Sequence, residues 1–289
     1  MRSEHALFFL RKPSLQLRTH AVIPPLDIAL KVVVGFILVA SSMQVEAAPS
    51  PNTRSPRLGD ITADTYKADP RSIDLNERAV RAVDAQDFKT AEDLFRQALA
   101  ADAKNVTAAV NLAAMYLTNK KNTEATTLLE EYTQRYPTEA SLSARLGDAY
   151  FASKRIKEAV TAYEKALVSD PAYPAISARL GTLYALQKRL PEAERLFQKA
   201  VDQDPRNGQL LASLSSVLLA NGKPDMAVST AKRALQLNPT KEVYITLGSA
   251  YEALNDSRNS LIAFERARDL GGANPELTKK IASLRETND

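Results

Sequence analysis

The sequence predicts an all-α fold, a solenoid of antiparallel helix pairs, and three observations predict it. The first is repetition: Leu146 to Pro171, LGDAYFASKRIKEAVTAYEKALVSDP, recurs at Leu180 to Pro205 as LGTLYALQKRLPEAERLFQKAVDQDP. Gly147 and Gly181, Tyr150 and Tyr184, Ala159 and Ala193, and Ala166 and Ala200 each stand 34 residues apart, a period that marks stacked helix–turn–helix units. The second is spacing within a copy. Leu146, Gly147 and Tyr150 share one face of a first helix, and Ala159, Tyr163 and Ala166 share one face of a second. The small residues allow close approach of the two helices and the aromatics fill the space around them. The third is composition: 9 glycines and no tryptophan in 289 residues, with alanine and leucine dominant, favour helix over sheet. One such unit cannot bury its own apolar face, so units stack.

Taken in order, residues 1–31 are basic and irregular and lead into VVVGFILVASSMQV, Val32 to Val45, an uncharged run of the length of a signal-peptide core and short of a bilayer span. Val45-Glu46-Ala47 places small residues before a cut, so 1–47 is expected to be a signal peptide removed between Ala47 and Ala48. The alternative is an uncleaved inner-membrane anchor with the rest in the periplasm. Residues 48–71, with Pro49, Pro51, Pro56 and Pro70 among Ser, Thr, Asn and Asp, read as a disordered linker.

From Ser72 the 34-residue frame gives six units, beginning at Ser72, Val106, Ala140, Pro174, Gly208 and Lys241, the fifth one residue short. Pro171 and Pro205 end second helices, because proline lacks the amide proton and disfavours helix in the residue before it. Asn274-Pro275-Glu276 then reads as cap, first-turn proline and first-turn acid. The apolar stripe Leu277, Ile281, Leu284 makes 275–289 the helix that covers the last unit, followed by the tail.

Leu-Gly at positions 7 and 8 of a unit, Tyr at 11, Ala at 20, an aromatic at 24, Ala at 27 and Pro at 32 resemble the tetratricopeptide repeat (TPR) family. The units at Ala140 and Pro174 satisfy all of these and lack only the frequent Trp at position 4. The resemblance implies a right-handed superhelix whose first helices line a concave groove for a partner protein or peptide. The chain looks like the exported bacterial members that serve secretion, pilus or polysaccharide assembly, and its lack of cysteine argues against the lipoproteins among the pilus-assembly members.

Composition narrows the chemistry. With no cysteine, disulfides, thiol nucleophiles and Cys-ligated metals are excluded. Both histidines, His5 and His20, precede the expected cut, so no His-based catalysis or metal site is expected in the mature chain, and no cofactor. Removing the five basic and three acidic residues of 1–47 from totals of 38 and 34 leaves 33 and 31, a balance of +2 that gives a nucleic-acid partner no support. No phosphate loop, His-Glu-x-x-His motif or Ser/His/Asp set is present. The expected role is therefore a non-enzymatic adaptor or scaffold of the cell envelope. The alternative is an accessory subunit that recruits substrate for an envelope enzyme or maturation complex. Membrane contact is expected only through the N-terminal segment, if it stays attached.

The resemblance places the groove at positions 2, 5, 6, 9, 12 and 13 of each unit, and the candidate partner-binding residues are Asn111, Leu117, Arg145, Phe151, Arg179 and Leu186. The lining is otherwise small or apolar. Arg145 and Arg179, both at position 6, are expected to point into one concavity, free to hold a partner's carboxylate, and their replacement by alanine to leave stability unchanged. Of the five places with which some TPR proteins grip a chain-terminal carboxylate, two match here, Asn111 and Arg145, which argues against that mode. The turn residues Lys154-Arg155 and Lys188-Arg189 are expected to be solvated, and the position-11 tyrosines to be core.

Overall fold

In the computed structural model, the described residues are 68–173, 175–271 and 275–288. They form thirteen α-helices, with no strand among the described residues. The helices are α1 (Pro70–Asp84), α2 (Phe88–Ala101), α3 (Val106–Thr118), α4 (Asn122–Arg135), α5 (Ala140–Ala152), α6 (Ile156–Ser169) and α7 (Ile176–Leu186). They continue as α8 (Leu190–Gln203), α9 (Gly208–Ala220), α10 (Pro224–Leu237), α11 (Lys241–Ala253), α12 (Ser257–Gly271) and α13 (Pro275–Asn288). Six consecutive pairs, α1/α2 to α11/α12, pack as hairpins, and each second helix packs on the first helix of the next pair. The expected signal peptide and most of the linker lie outside the described residues. The linker's end is corrected: Pro70 and Arg71 already belong to α1, because Asp69 caps it by accepting from the Arg71 amide and proline suits the first turn.

The aromatic at position 24 meets the small residue at position 8 in three pairs. A Cβ built on Gly147 would lie 2.5 Å from the Tyr163 ring, on Gly248 2.8 Å from Phe264, and on Gly181 3.2 Å from Phe197. The fifth pair has Ser215 and Ala231 at these places, both buried. Small against large is thus reduced there to small against small.

Every hairpin turns in the same way. The fifteenth residue of each unit (Gln86, Lys120, Lys154, Lys188, Gly222 and Asn255) has φ between 59° and 73°. The amide of the sixteenth reaches back to the carbonyl of the eleventh, as Arg155 to Tyr150 at 2.8 Å and Arg189 to Tyr184 at 2.9 Å. This is the bonding that closes a helix through one left-handed residue. Only the fifth unit supplies the glycine such a position favours.

The core divides within the third pair. Leu142, Leu146, Ala149 and Ala162 join a core with the first two pairs, whereas Ala144, Ala159, Tyr163 and Ala166 join the core that runs on to Ala263 of α12. At the far end Leu277, Ile281 and Leu284 of α13 cover Phe264 and Ala267.

Candidate functional site

The first helices, taken as one wall, are joined where α1, α3 and α5 pack in succession and α9 packs on α11, and where a side chain of α7 bonds one of α5. Across α3, α5, α7 and α9 that wall is built from alanine, leucine, serine and other uncharged residues, with three exceptions, Arg145, Asp148 and Arg179. The three meet. Arg145 Nη1 lies 3.1 Å from Asp148 Oδ2, three residues on along α5, and Arg179 Nη1 on α7 lies 2.5 Å from Asp148 Oδ1. The Tyr163 hydroxyl, arriving from α6, donates to the same Oδ1 at 2.7 Å. Burial, reinforced by the Asp148 carboxylate, pushes the Tyr163 phenol well above its ordinary range, so it remains a donor at any physiological pH. Burial also raises the Tyr173 phenol, in the field of the same three charged groups.

This corrects the expectation of free arginines. Both are engaged, with side-chain exposures of 11% for Arg145, 15% for Asp148 and 40% for Arg179. Their removal leaves a largely buried carboxylate short of partners, at a cost of about 1–3 kcal/mol. The two guanidinium groups do share one place, as expected, and only Arg179 presents much of its surface to solvent. Sequence reasoning missed Asp148. Its signal was there: it is the only acid on those four helices, three residues after an arginine and so on the same face.

The other candidates divide. Phe151 and Leu186 are half-buried, resting on the central core with part of their surface exposed. Leu117 is corrected: it is buried in the N-terminal core with Leu112 and Tyr116, so it is no open part of the wall. Asn111 stays near the N-terminal end, where its amide donates to Asn76 Oδ1 at 3.1 Å. The structure therefore brings together Arg145 and Arg179, but not Asn111 or Leu117 with them.

The turn cations are exposed, as expected, and two of them also make contacts that hold the units together. Arg155 lies over the Tyr150 ring at 4.3 Å and Arg189 over the Tyr184 ring at 4.0 Å. Tyr150 donates to Glu130 at 2.7 Å and Tyr116 to Glu92 at 3.1 Å, each acid on the preceding unit's second helix. Tyr184 bonds Glu164 in the same way. In the fifth unit Lys223 takes up the Glu194 carboxylate, at 2.7 and 2.9 Å, beside Asn221. Cation, ring and carboxylate thus clasp consecutive units together. The position-16 residues Lys121, Arg155, Arg189 and Lys223 stand where a helix N-cap belongs, and none makes a side-chain cap bond. A stabilising cap is given up there for the contact between units.

Among the described residues, no group of His, Cys, Asp or Glu could hold a metal ion, and no helix is long and apolar enough to cross a membrane.

Profiles of the tetratricopeptide repeat match residues 82–146, 144–208, 185–248 and 242–270, an unbroken run through the helix pairs. The chain belongs to the tetratricopeptide repeat family. No curated protein sequence matches it. Among solved structures, this TPR chain is similar to YrrB, described as a TPR protein with an unusual peptide-binding site, with a TM-score of 0.61, 18% identity, and coverage of 65% of this chain and 97% of that one. PilW, described as a type IV pilus biogenesis factor, gives 0.60 at 20% identity over 73% and 99%. Pseudomonas aeruginosa PilF gives 0.53 at 22% over 63% and 83%. At these identities the likeness is one of fold. TPR domains are protein-interaction scaffolds, generally without catalysis, and the Arg145–Asp148–Arg179 cluster is where this one departs from an uncharged wall.

Proposed function

We propose that the chain is an exported, non-enzymatic adaptor of the bacterial cell envelope, which holds a segment of a partner protein against its wall of first helices. The observation that carries this reading is the placement of one charged cluster, with Arg179 partly exposed, on a wall otherwise uncharged from α3 to α9. An apolar wall with a single fixed polar feature is what recognition of an amphipathic or extended segment requires: area for affinity and one point for register. Export rests on the apolar run Val32 to Val45 and the small residues before Ala48. PilW, the pilus biogenesis factor that shares the fold, suggests one setting, assembly of an envelope machine.

A photo-cross-linking residue placed singly at Phe151, at Leu186 and at Val168, an exposed residue of the second helix α6, tests the proposal in the cell of origin. The wall positions are expected to give one shared adduct that Val168 does not give. Adducts from Val168 alone would place recognition on the other face. The same purified protein is expected to begin at Ala48, whereas recovery at full length in carbonate-washed membranes would overturn the cleavage and leave the anchored alternative.

A further inference from the structure

Resting on that reading, we propose that Arg145, Asp148 and Arg179 form a subsite for one side-chain carboxylate carried within the partner's segment, with Asp148 acting as the internal anion that aims the two guanidinium groups. Two cations share one anion, so the cluster keeps a positive charge of one. Each guanidinium has five N–H donors in a planar fork. Among the described residues each makes one hydrogen bond, from Nη1 to Asp148, and Arg179, 40% exposed against 11% for Arg145, carries the remaining donors that a second acceptor reaches most readily. Both Asp148 oxygens are occupied, and Tyr163 fixes one of them from beneath. The arginines are thereby held without being neutralised, and a planar carboxylate is the group their geometry matches.

The surroundings set specificity. No other charged side chain lies on α3, α5, α7 or α9, so a guest acid finds one place along this wall, and Phe151 and Leu186 offer apolar surface beside it. A like-charged guest would meet an uncompensated cation, the repulsive half of discrimination. At the N-terminal part of the wall Asn111 is turned to Asn76 at 3.1 Å, so that polar side chain is engaged and the guest acid is left to the arginine pair.

A random peptide library displayed through its C-termini, so that only internal acids are offered, is selected on the purified chain. Enriched peptides are expected to carry one Asp or Glu at a fixed distance from an apolar residue, and exchange of that acid for its amide to weaken binding at least tenfold. Arg179→Gln is expected to abolish the preference for acid over amide. Asp148→Asn keeps the side chain's shape but leaves one acceptor oxygen where there were two, so a guanidinium loses its anchor; it is expected to weaken the acidic peptide severalfold and leave the amide peptide unchanged. Enrichment without acids, an acid preference that survives Arg179→Gln, or Asp148→Asn weakening both peptides equally would overturn the subsite while leaving the adaptor reading in place. Enrichment confined to a library with free C-termini would overturn the internal acid. No enrichment at all would take the adaptor reading down with it. Should Asp148→Asn fail to fold, Arg179→Gln alone decides.

Discussion

The Tyr163 hydroxyl donates to Asp148 at 2.7 Å, so the ring that fills the space over Gly147 also holds the carboxylate to which Arg145 and Arg179 are bound. Packing of the third unit and geometry of the wall are one construction. Tyr163→Phe keeps the ring and removes the donor. It is expected to lower stability by about 1–2 kcal/mol, the range for a hydrogen bond to a charged group that keeps other partners, as read from urea unfolding. An unchanged midpoint would separate the packing from the cluster.

The same ring makes Gly147 less tolerant than Gly181. A Cβ at Gly147 would meet the Tyr163 ring at 2.5 Å, and that ring is tethered by its hydroxyl, whereas at Gly181 the Phe197 ring is 3.2 Å away and free to give slightly. Gly147→Ala is expected to cost about 1–3 kcal/mol and Gly181→Ala distinctly less. Thermal melts of the two variants check the order. Units depend on their neighbours, so the loss is expected as a separate early transition or a broadened one.

The left-handed turn residues predict gains. Lys154 and Lys188 have φ of 60°, which a side chain disfavours and glycine does not. Lys154→Gly and Lys188→Gly are expected to stabilise by roughly 0.5–1 kcal/mol each, the relief of left-handed strain less the entropy glycine adds to the unfolded chain. Gly222→Ala, at φ 73° with open space around it, is expected to cost a similar amount. Denaturant midpoints moving the opposite way would contradict the shared turn.

At alkaline pH the clasps between units should fail first. Burial, and then the hydrogen bond to Glu130, raise the Tyr150 phenol to about 12. A group whose pKa is raised on folding contributes stability that is whole below its unfolded value, near 10, and is lost as pH rises through the folded one. Stability is therefore expected to fall between about pH 10 and 12, and Tyr150→Phe to flatten that limb. Phenolate absorbance followed beside unfolding checks it; identical limbs in both proteins would assign the loss elsewhere.

Much of this was legible in the sequence. The period gave the six pairs, the small residues at Gly147 and Gly181 announced the aromatics opposite, and the stripe Leu277, Ile281, Leu284 is the face α13 buries. The turns were not, because five of the six left-handed residues are Gln, Lys or Asn and carry no glycine signal. Leu117 was misplaced because a leucine on the wall and a leucine in the core look alike in sequence, and only the neighbouring helices decide between them. The pairing of Arg179 with Asp148 joins residues of two different units. It depends on how α7 is set beside α5, and a repeat frame that aligns equivalent positions does not show contacts between unlike ones.

The central claim is that Arg179, partly exposed on the wall, holds the partner. Titration calorimetry of the partner recovered by cross-linking, against the parent protein, Arg179→Ala and Arg179→Lys, tests it most directly. Loss of a charge-assisted contact at a partly desolvated site is expected to weaken binding by about 2 kcal/mol or more, near the lower end for such contacts. Lysine is expected to restore only part, since it lacks the planar fork. Equal affinity for all three proteins, each folded at the temperature used, would contradict the account.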